Sequence, residues 1–119
     1  MAGNCLLINH EVLTWHDARS HCLGLGGDLA SIPGAIDQTY ISAMVMDTSS
    51  SFWVGGSNVD KSSGWKWSDG SAFAHFYWNE NQPSDHEDSC VEFVADNSRW
   101  NDGSCVDLRA SICKKRGEV

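Results

Sequence analysis

The segment Gln82-Pro83-Ser84-Asp85-His86-Glu87-Asp88-Ser89-Cys90 and the segment Trp100-Asn101-Asp102-Gly103-Ser104-Cys105 each set amide, hydroxyl and carboxylate oxygens beside a cysteine. A disulfide between Cys90 and Cys105 would carry both stretches to one spot. Oxygen donors of this kind, with no histidine–cysteine pairing among them, suit a hard cation, and calcium is the usual one. The same residue types also build ordinary solvated turns. The cation reading therefore rests on the cysteine brackets and on the rest of the chain.

Other chemistries find less support. Neither Gly-x-Ser-x-Gly nor His-Glu-x-x-His occurs, so catalysis is not expected. The five cysteines form no Cys-x-x-Cys pair, and none lies at zinc-finger spacing with a histidine. They read instead as a disulfide framework formed in an oxidising compartment, which implies a secreted or extracellular location. Their odd number leaves at least one thiol free or bridged to another chain. His10, His16, His21 and His75 have no partner at metal spacing and read as structural or exposed. With 8 basic and 16 acidic residues the formal charge is −8, which argues against nucleic acid and anionic membrane as partners. No apolar run reaches membrane-span length.

These residues need a scaffold, and 119 residues make one domain, 1–119. Met1-Ala2-Gly3 reads as the start of a mature or excised domain. Thr14 to Leu25 is predicted as a helix, capped by Thr14, with Trp15, Ala18, Cys22 and Leu25 on one face and Gly24, Gly26 and Gly27 ending it. Asp28 to Ile32 is a short strand candidate. A second helix from Ala35 to Met46 shows an apolar stripe of Ile36, Tyr40, Ala43 and Met44. Ser51 to Gly56 is a short buried strand, Trp65-Lys66-Trp67 alternates, and Ser68 to Ser71 is a turn. Ala72 to Ser89 reads as a long irregular loop, kept ordered by Phe73, Phe76, Tyr77 and Trp78. Strands follow at Cys90 to Ala95, Ser98 to Trp100 and Ala110 to Lys114. Helices first and short antiparallel strands after them make an α+β pattern.

In that order, Trp15 to Cys22, Phe52-Trp53-Val54-Gly55-Gly56, Gly64 to Ser71, Gln82-Pro83-Ser84, Trp100-Asn101-Asp102 and Ala110-Ser111-Ile112-Cys113 resemble a C-type lectin domain over nearly the whole chain. The resemblance implies two helices flanking short antiparallel sheets, a long calcium-binding loop, and disulfides Cys22–Cys113 and Cys90–Cys105. Cys5 is then left as a free thiol or as the bridge of a homodimer. It implies that Trp53, Trp65, Trp67 and Trp100 are core residues. It also implies calcium-dependent carbohydrate binding, with Gln82, Ser84, Asp88, Asn101 and Asp102 as calcium ligands, Glu87 as the substitute for Asp88, and a cis bond at Pro83. One calcium site is expected, because Val59-Asp60-Lys61-Ser62-Ser63 lacks most of the acids that hold an auxiliary ion in relatives. The sugar would meet Gln82, Ser84, Asp88, Asn101 and Asp102, with His86 where some relatives stack an aromatic on it. Ser84 stands where the family carries Asn or Asp. Gln82 implies glycans with terminal galactose or N-acetylgalactosamine in preference to mannose. The alternative is a calcium-independent, protein-binding domain of the same fold, which keeps the cysteines and core and loses the loop ligands.

Overall fold

The computed structural model describes residues 4–48, 50–59, 64–80, 82 and 89–116. In chain order the elements are β1 (Asn4–Leu13), α1 (Trp15–Gly24), β2 (Asp28–Leu29), α2 (Ala35–Val45), β3 (Ser51–Ser57), β4 (Lys66–Trp67), β5 (Ser89–Val94), β6 (Arg99–Ser104) and β7 (Arg109–Arg116). All strands join one sheet of order β1-β7-β3-β5-β6, with β2 beside β7 and β4 beside β3. The sheet is mixed, since β3 runs parallel to β7 while the other pairs are antiparallel.

The period-two alternation of side chains sorts the core into two clusters. Phe52 and Val54 of β3, Val91 and Phe93 of β5 and Ile112 of β7 pack with Ile41 and Val45 of α2. Their neighbours Trp53, Cys90 and Cys113 pack with Trp15, Ala18 and Cys22 of α1. β3 is thus buried on both faces, which explains its unbroken apolar run. Its glycines are steric necessities: a Cβ on Gly55 would meet Ser68 Oγ at 2.8 Å, and one on Gly56 would collide with the Val91 side chain.

Helix α1 begins where the sequence places it, because Thr14 Oγ1 accepts a hydrogen bond from the Asp17 amide at 3.2 Å. It turns away at Gly26, whose φ of 88° suits a residue without a Cβ. Leu25 lies beyond its last turn and is exposed, so it does not complete the buried face. The stripe expected on α2 is also corrected. Gln38, Ile41 and Val45 point inward; of the expected stripe Met44 packs against the core, whereas Ile36 and Tyr40 are 70% and 64% exposed and Ala43 also faces out. The cause is Gln38, whose Oε1 accepts from the Trp100 indole at 3.0 Å and whose amide donates to the Ser98 carbonyl. A polar residue so satisfied can occupy the middle of a buried face.

Three further differences concern the sheet. β1 was not expected, and it pairs along most of β7. β2 covers only Asp28 and Leu29. β6 does not stop at Trp100 but continues through Asn101 and Asp102 to Ser104. Trp53, Trp67 and Trp100 are fully or almost fully buried, while Trp65 is half-buried. The disulfides are Cys22–Cys113, with Cα atoms 5.4 Å apart, and Cys90–Cys105, with Cα atoms 5.2 Å apart. These are the pairs the resemblance implies. Cys5 is exposed and unbridged.

A polar knot ties four segments together at the first turn of α2. Ser31 Oγ donates to Asp69 Oδ2 at 2.6 Å and accepts from Lys114 Nζ at 2.8 Å, and Lys114 lies 3.5 Å from Asp37. Burial alone would raise the Asp69 carboxyl, but hydrogen bonds from Ser31 and Ser71 together with the Lys114 charge outweigh it and hold it below its ordinary value. A depressed carboxyl stabilises the fold fully above its unfolded pKa of about 4, and that stability is lost as pH falls through the lower folded value. Urea midpoints measured from pH 5 down to pH 2 should therefore fall more steeply for the native chain than for Asp69→Asn. Parallel curves would show that Asp69 contributes nothing to the acid limb.

Candidate functional site

The site is built outward from β6. Its register sets Trp100 opposite Phe93, Asn101 opposite Glu92 and Asp102 opposite Val91. Trp100 points into the core, while Asn101 and Asp102 are half-buried. Beyond β6 the segment 77–79 is laid along it by two backbone bonds, Trp100 N to Tyr77 O at 3.0 Å and Asn79 N to Trp100 O at 2.8 Å. The chain then turns, with Gln82 N donating to Asn79 O at 3.0 Å. This turn delivers the Gln82 side chain to β6, where its Oε1 accepts from the Asp102 amide at 3.2 Å. The two motifs that the sequence separates are joined by that bond.

Beneath this contact runs a line of side-chain hydrogen bonds. Asn97 Nδ2 donates to Asn79 Oδ1 at 2.9 Å, Asn79 Nδ2 to Asn101 Oδ1 at 2.9 Å, and Asn101 Nδ2 to Glu92 Oε1 at 3.4 Å. Glu92 is a buried acid, and its Oε2 is ion-paired with Arg109 Nε at 2.8 Å. The Arg109 guanidinium lies 5.1 Å from the centre of the Trp53 ring and reaches Asp107 at 3.3 Å. A buried carboxylate needs such compensation.

Of the residues marked in the sequence, Gln82, Asn101 and Asp102 are brought together here. Pro83, Ser84, His86, Glu87 and Asp88 lie outside the described residues, as do Asp60 to Ser63. Asn79, Glu92 and Arg109 were not marked. Glu92 carried a signal, since an acid within the buried run Cys90-Val91-Glu92-Phe93 must find a partner. The donor set fits a hard cation. Gln82 Oε1 and Asn101 Oδ1 are carbonyl oxygens with a second lone pair beyond the bond each already accepts, and Asp102 adds a carboxylate next along β6.

The family model for the Lectin C-type domain matches residues 11–115, which include both motifs and all four bridged cysteines. The chain belongs to the C-type lectin domain family. Human C-type mannose receptor 2 is 31% identical over 98% of the chain, which spans 8% of that receptor's length. Among solved structures this C-type lectin domain resembles the mouse scavenger receptor C-type lectin carbohydrate-recognition domain, at 26% identity and a TM-score of 0.88, covering 98% of this chain and 91% of that one. It also resembles a calcium-independent type II antifreeze protein, at 31% identity and a TM-score of 0.87, covering 97% and 88%. Among the described residues no helix of the domain is long and apolar enough to cross a membrane.

Proposed function

We propose that this C-type lectin domain binds carbohydrate in the extracellular space through one calcium ion, held by Gln82, Ser84, Asp88, Asn101 and Asp102, with Glu87 able to replace Asp88. The observation that carries the reading is the Gln82 to Asp102 bond, which makes one site of two separated oxygen-rich motifs. Similarity to a carbohydrate-recognition domain supports the ligand class. Calcium held there would supply a Lewis-acidic centre for two vicinal sugar hydroxyls. Around it the chain's own groups fix the sugar: the Gln82 amide donates, the Asp102 carboxylate accepts, and His86 offers a ring to the apolar face. An amide at position 82 favours glycans ending in galactose or N-acetylgalactosamine. With few charged ligands the calcium affinity falls on the order of 10⁻⁴–10⁻³ M.

A calcium-independent, protein-binding role is the second reading. It is favoured by Asn101 Oδ1 and Gln82 Oε1 each having a partner within the protein, and by similarity to an antifreeze protein described as calcium-independent. Calcium titration followed by thermal shift separates the two. At free calcium about ten times the dissociation constant, the lectin reading expects a gain of roughly 1.4 kcal/mol, a rise of about 5 °C. An unchanged melting temperature in chelator and in millimolar calcium sinks the first reading. A glycan array run with calcium then tests the sugar, and stronger signals on mannose than on galactose would overturn the preference assigned to Gln82. The same preparation run on a gel without reductant shows whether Cys5 joins two such domains.

A further inference from the structure

We infer that Glu92 is a positioning residue that decides which way the Asn101 amide faces, an inference that rests on the calcium reading above. An asparagine amide has two ends of nearly equal shape and opposite chemistry: the carbonyl accepts and the NH₂ donates. Only the carbonyl end can ligate a cation. The orientation of Asn101 is therefore a condition for the site.

In the line Asn97 to Asn79 to Asn101 to Glu92 every donor points the same way, toward Glu92. A row of amides alone could run in either direction with the same number of bonds. Its two ends remove that freedom: at the exposed end Asn97 Oδ1 accepts from the Arg99 amide at 3.1 Å, and at the buried end stands Glu92. A carboxylate only accepts, so it demands the NH₂ of Asn101. Glu92 is itself held in place, 8% exposed, opposite Trp53 on β3 and Asn101 on β6, with Arg109 Nε 2.8 Å from Oε2. The Asn101 carbonyl is thereby turned toward Asn79, the residue that begins the turn to Gln82.

Glutamine has nearly the volume of glutamate but not its symmetry. In Glu92→Gln the positive Arg109 draws the single carbonyl oxygen to itself, which leaves the new NH₂ facing Asn101. Two NH₂ groups cannot face each other. Asn101 must turn its Oδ1 inward and its Nδ2 toward Asn79, which turns to accept it, while Asn97 stays held by the Arg99 amide and the exposed Asn97–Asn79 bond is given up. The ligand oxygen is withdrawn from the cation site although no residue of that site has been changed.

The first test needs neither calcium nor a variant. In the chelated wild-type domain, through-hydrogen-bond scalar coupling in NMR should run from Asn79 Nδ2 to Asn101 Cγ, and a coupling from Asn101 Nδ2 to Asn79 Cγ would overturn the inference. In chelated Glu92→Gln the coupling should reverse, and an unreversed coupling would overturn it equally. Calcium titration by thermal shift then compares three proteins. Glu92→Gln should bind calcium about 10–100-fold more weakly than wild type, the usual loss when a partner that orients a ligand is removed. The double variant Glu92→Gln with Asn101→Asp should recover most of that loss, because a carboxylate offers an oxygen to both sides. A purely structural role for Glu92 predicts no such recovery, and its absence would overturn the inference. A wild-type domain that ignores calcium would remove the calcium reading alone, and the direction of the coupling would still decide for or against Glu92.

Discussion

Replacing Cys22 and Cys113 together by alanine is expected to lower the unfolding free energy by about 4–5 kcal/mol. The bridge joins residues 91 positions apart, so it closes most of the chain into one loop and restricts the unfolded ensemble accordingly. Both cysteines are buried in the cluster between α1 and β7, and truncating them also costs packing there. A domain of this size has a total stability of roughly 5–15 kcal/mol, so the variant should stand close to unfolding at physiological temperature. The Cys90–Cys105 bridge spans only 15 positions, and its removal should cost about 3 kcal/mol. Urea denaturation of the two double variants under identical conditions gives the comparison. A smaller loss for the longer loop would mean that native-state strain, and not loop closure, sets the contribution.

Trp100→Ala should have an effect of similar size, about 3–5 kcal/mol. The ring is fully buried, lies edge-on to Trp67 at 5.3 Å and to Trp78 at 5.6 Å, and donates its indole hydrogen to Gln38 at 3.0 Å. Alanine leaves a large cavity and strips Gln38 Oε1 of its partner. Trp100→Phe keeps most of the apolar volume and removes the indole donor, so its smaller loss measures that bond, about 1 kcal/mol. Near-UV circular dichroism should collapse in the alanine variant before the far-UV signal does, because the aromatic cluster around Phe73 and Trp78 loses its centre. An alanine variant within 1 kcal/mol of the native chain would contradict this account of the core.

How far the sequence disclosed this architecture depended on whether the deciding interaction was local. The start of α1 was legible because a Thr14 cap and an Asp17 amide are three residues apart. β3 was legible because burial on both faces leaves an apolar run with glycines at its end. The inward face of α2 was not, because it turns on Gln38 meeting Trp100, residues far apart in the chain. β1 escaped notice for a related reason: Leu6 and Ile8 pack against the core while the intervening Leu7 is 43% exposed, so polarity does not alternate. In the site, Gln82, Asn101 and Asp102 stood out through their motifs. Asn79 and Glu92 carry no motif, and only the register of β5 on β6 and the return of segment 77–79 bring them to Asn101. The disulfide pairing was open to cysteine counting and came from the resemblance.

The ladder between β1 and β7 also fixes how the domain answers to pulling. Asn4 lies opposite Arg116, so tension applied at the two ends peels the strands apart one pair at a time and does not shear them. Once peeling reaches Cys113 the load crosses the sulfurs to Cys22 and leaves by the opposite end of the chain. Everything between those two cysteines, including β3, β5, β6 and the cluster at Gln82, Asn101 and Asp102, is bypassed. While that bond is intact, a tug along the backbone can lengthen the domain only by the segments outside it, β1 and the first turns of α1 among them, and that cluster stays slack.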